Sequence, residues 1–416
     1  MLLLKAPRLV DRTRQFEPAV RLLYVNQFTI NLGFYMLMPY LAAHLSGELA
    51  LATWSVGLVL GVRNLSQQGM FLVGGALADR LGFKPMIVAG CALRTAGFGA
   101  LAFADTLPVL VGASVATGLA GALFNPAVRA YVAAEAGEER RIEAFALFNV
   151  YYQAGILLGP LVGLALTGVD FRLTCAVSAA LFAVLSVVQT LRLPVRRRTG
   201  NDRESGQWRT VLGNGSFWLF SLAMTASYVL SFQVYLALPL AVERLVGGGT
   251  AGRAATSALF VVSGLVALAG QLRITDWCRR TWRREQCLAG GLGLMGAAFL
   301  VPAAGGAGWT GVAGLLVCAA GLAAATAVLY PFEMDTVVSL AGGRWVATHY
   351  GLYNTVCGVG ITVGNLGAGV LLDAGRGVPA VPWLVLACVG AAGALGLRGL
   401  GRSGRLASPG PRTVSP

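Results

Sequence analysis

The stretch "GGALADRLGFKP", residues 74–85, sets Asp79, Arg80 and Lys84 within a few residues of hydrocarbon-like sequence on either side. Before it runs "WSVGLVLGVRNLSQQGMFLV" and after it "MIVAGCALRTAGFGALAFA". Apolar runs of about 20 residues are what a helix needs to cross the hydrocarbon core of a bilayer. Charges confined to a short bend between two such runs therefore mark a turn at a membrane surface. Asp79 ends the first run, and Gly82 permits the tight reversal into the second. Asp79 can accept hydrogen bonds from helix N-terminal amides or from a nearby Arg.

Outward from this bend the pattern repeats along the whole chain. Of its 416 residues 56% are hydrophobic and 12% charged, where soluble domains carry about 25% charged residues. The 56 glycines suit closely packed membrane helices. Twelve spans are expected, near 22–43, 53–78, 86–104, 107–132, 144–168, 171–193, 215–241, 256–274, 287–304, 309–332, 349–372 and 380–398. The fold class is an all-α polytopic membrane protein with twelve transmembrane helices.

The net charge of +14 is a topology signal. Of the 32 Lys and Arg, 26 fall on one side of this map and four on the other, while Arg63 and Arg94 lie inside spans. The positive-inside rule makes the richer side cytoplasmic, together with both termini, in a cell (inner or plasma) membrane. Such a charge balance favours anionic lipid headgroups over a nucleic acid. "MLLLKAPRLVDRTRQFEPAVR" turns charged before any signal-peptide core is long enough and reads as a cytoplasmic tail. The seven Cys are scattered with no CxxC pair, so neither a metal site nor a disulfide framework is expected, and no cofactor is implied. No His/Asp/Ser constellation suggests an enzyme, and no G-x-x-x-x-G-K-[ST] loop suggests ATP-driven pumping.

The chain also repeats itself. "LFNPAVRAYVAAEAGEERRIEAFALFNVYYQAGILLGPLVG" from Leu123 matches "LYPFEMDTVVSLAGGRWVATHYGLYNTVCGVGITVGNLGAG" from Leu329. Phe148-Asn149 falls on Tyr353-Asn354, Gly155 on Gly360 and Gly159 on Gly364, while "MLMPYLAAHLSG" pairs with "LALPLAVERLVG", Pro39 on Pro239. Two pseudo-symmetric six-helix bundles follow, 22–193 and 217–398, with a cytoplasmic linker at 194–216 and tails at 1–21 and 399–416. Parallel six-span repeats are the major facilitator arrangement.

The opening stretch resembles the signature of the major facilitator superfamily between its second and third helices, through Gly75, Leu77, Asp79, Arg80, Gly82, Lys84 and Pro85; Phe83 replaces a usual basic residue. In the family this loop is a latch on the cytoplasmic side. "AGILLGPLVG" resembles the antiporter motif of the family's exporters through Gly155, Gly159, Pro160 and Gly163, with Leu164 and Ala146 where further glycines are usual. Gly155 and Gly159 share one helix face, open to close approach by a neighbour. Much of 26–193 is similar to the MdtH-type multidrug resistance transporters of the twelve-helix drug:proton antiporter group. That group often carries an Arg midway along the fourth helix, where this chain has Ser114. The resemblance implies a secondary transporter, a monomer that exports drug-like or metabolite compounds in exchange for protons by alternating access. An importer or facilitator of a small organic anion is the alternative on the same fold.

Antiport needs a group that exchanges protons, usually a carboxylate held away from water. No acid falls at the middle of an expected span. Glu333 and Asp335, at the inner end of the tenth, are the proton-coupling candidates, with Arg344 or the 273–284 loop as alternative ion-pair partners. Asn26, Asn31, Arg63, Gln67, Tyr151, Tyr228, Gln233 and Asn354 are the candidates for a substrate cavity. Polar and aromatic groups amid Phe and Leu suit bulky, partly apolar molecules. A central Arg costs roughly 2.5–3.5 kcal/mol on insertion scales, so Arg63 and Arg94 should each face the bundle interior or a water-filled cavity. Arg94, on a peripheral third helix, is expected to bond backbone groups between helices.

Overall fold

The computed structural model describes residues 9–47, 49, 51–167, 169–195, 207–247, 249–374 and 378–406. The middle of the expected linker, 196–206, and the outer parts of both tails lie outside the described residues. A short helix, Leu9–Arg14, precedes the first long one. The long helices are α1 Pro18–Gly47, α2 Thr53–Leu81, α3 Phe83–Leu101, α4 and α5 within Leu107–Thr167, and α6 Phe171–Arg192. They continue with α7 Gly215–Val246, α8 Thr250–Thr281, α9 Arg284–Ala303, α10 Gly308–Ala341, α11 Val346–Ala374 and α12 Val381–Arg402. Large apolar side chains point outward, Leu65 at 72% and Leu191 at 74% exposed. In water such surfaces would aggregate; in a bilayer they are solvated.

Local chemistry sets the ends. Gly82 is the whole α2–α3 turn: its φ of 100° closes α2, its N–H bonds the Ala78 carbonyl, and α3 starts at the next residue. The Asp170 side chain caps α6 by accepting from the Arg172 N–H at 2.7 Å. Asn214 caps α7 through the Phe217 N–H and donates to the Leu340 carbonyl at the end of α10.

Three features go beyond the expected spans. The connection 133–143 is not a loop: helix runs on through it, interrupted only at Gly137, whose φ of 68° separates α4 from α5. Ala, Glu and Arg are strong helix formers, so "AAEAGEERRIEA" stays helical although it is too polar to be a span. The seventh span is not one rod. After Ser231 it tightens into a 3-10 turn, Phe232–Val234, and restarts at Ala237. The tenth helix does not stop where hydropathy falls at residue 332; it continues about two and a half turns to Ala341.

The chain divides into two compact units, Met1–Asp202 and Arg203–Pro416. In the first, α1 packs on α5 and α6, α4 on α2 and α3, and α3 on α6. The second repeats the scheme: α7 with α11 and α12, α10 with α8 and α9, and α9 with α12. The repeat is visible in single residues. A Cβ at Gly155 of α5 would lie 2.5 Å from the Phe28 carbonyl oxygen of α1, and one at Gly159 2.7 Å from Tyr35 Cβ. Their counterparts on α11, Gly360 and Gly364, meet Thr225 and Val229 of α7. Prolines recur too, at Pro126 in α4 and Pro331 in α10. Each lacks the N–H that would serve the carbonyl four residues back. At Pro331 that carbonyl, Ala327, takes the Gln271 amide of α8 at 2.9 Å. At Pro126 it is Ala122, against which the bare Gly74 of α2 is pressed.

Candidate transport site

In the second unit a buried carboxylate stands at the junction of three helices. Glu333 of α10 is 4% exposed. Its Oε1 accepts from the Tyr228 hydroxyl of α7 at 2.9 Å and from the Tyr353 hydroxyl of α11 at 2.8 Å. The two rings meet edge to face with centroids 5.9 Å apart, and Phe220 stacks on Tyr353. One turn before Tyr353 on α11, Tyr350 donates to the Met334 carbonyl at 2.8 Å. Helix α10 is buried continuously from Ala327 to Ala341 save for Tyr330, so Glu333 sits in packed surroundings and not at a helix end.

Asp335, two residues on, has a different partner. Arg284, the first residue of α9, pairs with its Oδ2 at 3.5 Å and donates to Ser339 Oγ at 2.6 Å. That is the 273–284 partner open in the sequence. The two acids are thus separated by their settings: one ion-paired, the other held by two phenols.

In the first unit the cluster is cationic. Arg63 of α2 is half-buried; its guanidinium bonds Gln67 Oε1 at 3.4 Å and the Asn64 side chain. It also lies 5.1 Å from the centroid of Phe34 on α1. Arg94 of α3 is 5% exposed, with its guanidinium 5.6 Å from the centroids of both Phe34 and Phe182. The expected backbone hydrogen bonds of Arg94 are replaced by these two ring faces. A desolvated cation–π contact contributes about 2 kcal/mol, so two together offset an insertion cost of roughly 2.5–3.5 kcal/mol. They satisfy none of the N–H groups. Among the described residues, Nε of both Arg63 and Arg94 is buried without a hydrogen-bond partner.

The other candidates are engaged within their own units. Asn26, fully buried, accepts from Gln189 of α6 at 2.7 Å, and Asn31 donates to the Tyr152 carbonyl. Tyr151 meets Thr13 and stacks on Tyr24. Gln233 lies at the break in α7, where its amide serves the Val229 carbonyl at 2.8 Å and reaches Asn365. Asn354 donates to the Tyr350 carbonyl. In the opening turn Asp79 is buried, Arg80 exposed, and Phe83 packs edge to face on Tyr131. Gly75 is buried, Leu77 and Lys84 half-buried and Pro85 exposed. Pro160 gives its carbonyl to the Tyr40 hydroxyl at 2.7 Å, and the Met36 carbonyl fills the space beside Gly163. A separate hollow of about 480 Å³ in the second unit, lined by Arg244, Leu372 and Trp383, does not reach Glu333. Tyr353, Phe34 and Arg284 were not singled out as site residues from the sequence. Tyr353 carried a signal, since the repeat puts it opposite Phe148 and so marks a hydroxyl gained in one half.

Two six-helix units with matched packing, joined in one chain, agree with what comparison finds: residues 23–365 match the model of the Major Facilitator Superfamily. The chain belongs to that superfamily. It is 51% identical over 398 residues to the MFS-type transporter Rv0849 of Mycobacterium tuberculosis (strain H37Rv), covering 93% of this chain and 94% of that one. It is 32% identical to multidrug resistance protein MdtH of Klebsiella pneumoniae (strain 342), covering 88% and 90%. Among solved structures, the Escherichia coli fucose:proton symporter FucP superposes with a TM-score of 0.72 at 15% identity, covering 91% of this chain and 97% of that one. That likeness concerns the fold alone. The chain is a multi-pass MFS transporter, in a superfamily that moves small molecules across membranes.

Proposed function

We propose that this transporter exports drug-like or metabolite compounds by alternating access in exchange for protons, with Glu333 taking up and releasing the proton. The observation that carries this reading is the donation of two tyrosine hydroxyls to one buried carboxylate. Hydrogen bonds to a charged group contribute about 1.5–3 kcal/mol each, while removing an ion from water costs several kcal/mol. The opposing terms are of one size, so a small displacement of either tyrosine changes which protonation state is favoured. Tyr228 stands one turn before the break in α7, which gives that displacement a mechanical source. Asp335 holds the end of α10 to α9 through Arg284.

Export is supported by the Gly155–Gly163 sequence and by relatives named for multidrug resistance; proton use, by the buried carboxylate of Glu333 between two phenols. In this reading the Gly75–Pro85 turn latches the inner face. Both termini are cytoplasmic, the protein works as a monomer in the cell membrane, and Arg63, Gln67 and Tyr228 contribute to substrate contact. A second reading, import or facilitation of a small organic anion, is favoured by the Arg63–Arg94 cluster.

The test is dye transport by purified protein in liposomes, with and without an imposed pH gradient, for the wild type, Glu333→Gln and Asp335→Asn. Glu333→Gln should remove the dependence on the gradient while downhill exchange persists, and Asp335→Asn should keep it. If neither substitution alters that dependence, the coupling assignment fails. Energised cells that accumulate dye on expressing the protein would instead support import.

A further inference from the structure

In the first unit two cations converge on one ring, and among the described residues no acidic side chain pairs with either. Guanidinium carbons of Arg63 and Arg94, from α2 and α3, both lie within 6 Å of the Phe34 centroid. Like charges brought together out of water repel, and each guanidinium carries five N–H donors that ring faces leave unanswered. Among the described residues neither Arg forms an ion pair, and both have a buried Nε without a partner. Every Asp and Glu of this half lies toward a span end or beyond it.

The surroundings are built to hold this arrangement. A Cβ at Gly121 of α4 would come 2.9 Å from Gln67 Nε2, so the missing side chain makes room for the Gln67 amide, whose oxygen accepts from Arg63. Gly118 lets α4 press on the backbone of α2 at Arg63 itself. Phe182 and Phe98 are fully buried, 5.0 Å apart, and Phe98 backs the half-buried Phe34 edge to face.

We propose that Arg63 and Arg94 bind the acid group of an aromatic organic acid, with its ring against Phe34. The carboxylate answers the unsatisfied N–H groups and neutralises the convergent charge, and the apolar body lies against the half-buried Phe34. The proposal rests on the transporter reading above and holds for either direction of transport.

The test measures equilibrium binding of radiolabelled 2-naphthoate to the purified full-length protein in phosphatidylcholine nanodiscs. The competitors are unlabelled 2-naphthamide, inorganic phosphate and phosphatidylglycerol. Loss of one charge-assisted contact should weaken naphthoate binding by about tenfold or more in Arg63→Gln and Arg94→Gln. Arg63→Lys, which keeps the charge, should retain part of the affinity, and the neutral naphthamide should compete at least about tenfold less well. If Arg94→Gln does not fold, the half-buried Arg63 and the naphthamide comparison decide the matter. Equal competition by the amide, unchanged affinity in the folded variants, or no saturable naphthoate binding overturns the proposal. So does displacement by phosphate or phosphatidylglycerol alone, which would make the occupant an ion or a lipid. Because binding is read without a pH gradient, failure here is separable from failure of Glu333 in coupling.

Discussion

The seam between α1 and α5 allows a quantitative test, by placing alanine at Gly155. Its Cβ would lie 2.5 Å from the Phe28 carbonyl oxygen, against 3.4 Å for an ordinary contact, so α1 must retreat by about 0.9 Å. Neither Phe28 O nor Asn31 Cβ, 2.7 Å away, can be moved by a side-chain rotation. Overpacking of this kind costs typically 1–3 kcal/mol, while replacing Gly by Ala in a helix returns about 1 kcal/mol. The net loss is about 1 kcal/mol, up to about 2, which for a unit near 200 residues lowers Tm by roughly 2–8 °C. The control is Gly61→Ala on α2, where the new methyl meets nothing within 4 Å; it should leave Tm unchanged or raise it. Gly360→Ala tests the repeat: its obstacle is the Thr225 side chain, so it should be damaging alone and rescued by Thr225→Ala. The assay is thermal unfolding of purified protein in detergent, followed by size-exclusion chromatography. If Gly155→Ala were as stable as Gly61→Ala, the close approach of these two helices would be refuted.

Other outcomes follow from single contacts. Asn214→Ala removes the cap of α7 and should cost about 1 kcal/mol, seen as a lower Tm. Gln189→Leu leaves buried Asn26 without its 2.7 Å donor and should cost roughly 1–3 kcal/mol in the same assay. Gly82→Ala forces a methyl into a φ of 100° and should lower Tm although the added atom has room, its nearest neighbour being Pro85 Cδ at 3.7 Å. Tyr353→Phe removes one donor to Glu333 and should impair gradient-driven transport while the protein remains folded; unchanged transport would detach the phenol from coupling.

Much of the architecture was legible because the physics behind it is local. The charged bend at 74–85 and the long apolar runs follow from solvent alone, and the repeat from matching glycines on α5 and α11. What escaped depends on neighbours distant in the chain. Glu333 and Asp335 are two residues apart and alike in sequence context, yet Tyr228 and Tyr353 claim one and Arg284 the other. Arg94 was expected to bond backbone because its peripheral helix gave no hint of Phe34 and Phe182, which come from α1 and α6. At 133–143 hydropathy falls while the helix runs on, because Ala, Glu and Arg keep their helix propensity outside the membrane.

The two units share a packing scheme but not a stiffness. The first helix of one runs unbroken from Pro18 to Gly47, whereas its counterpart is jointed between Ser231 and Ala237. The arm beyond the joint, Ala237–Val246, has 10 residues and is about 15 Å long. A flexure of about 10° at the joint would therefore carry its tip roughly 2.5 Å. Within the second unit this joint lies one turn beyond Tyr228, the phenol that touches Glu333, so a bend there and a shift of that hydroxyl are mechanically tied.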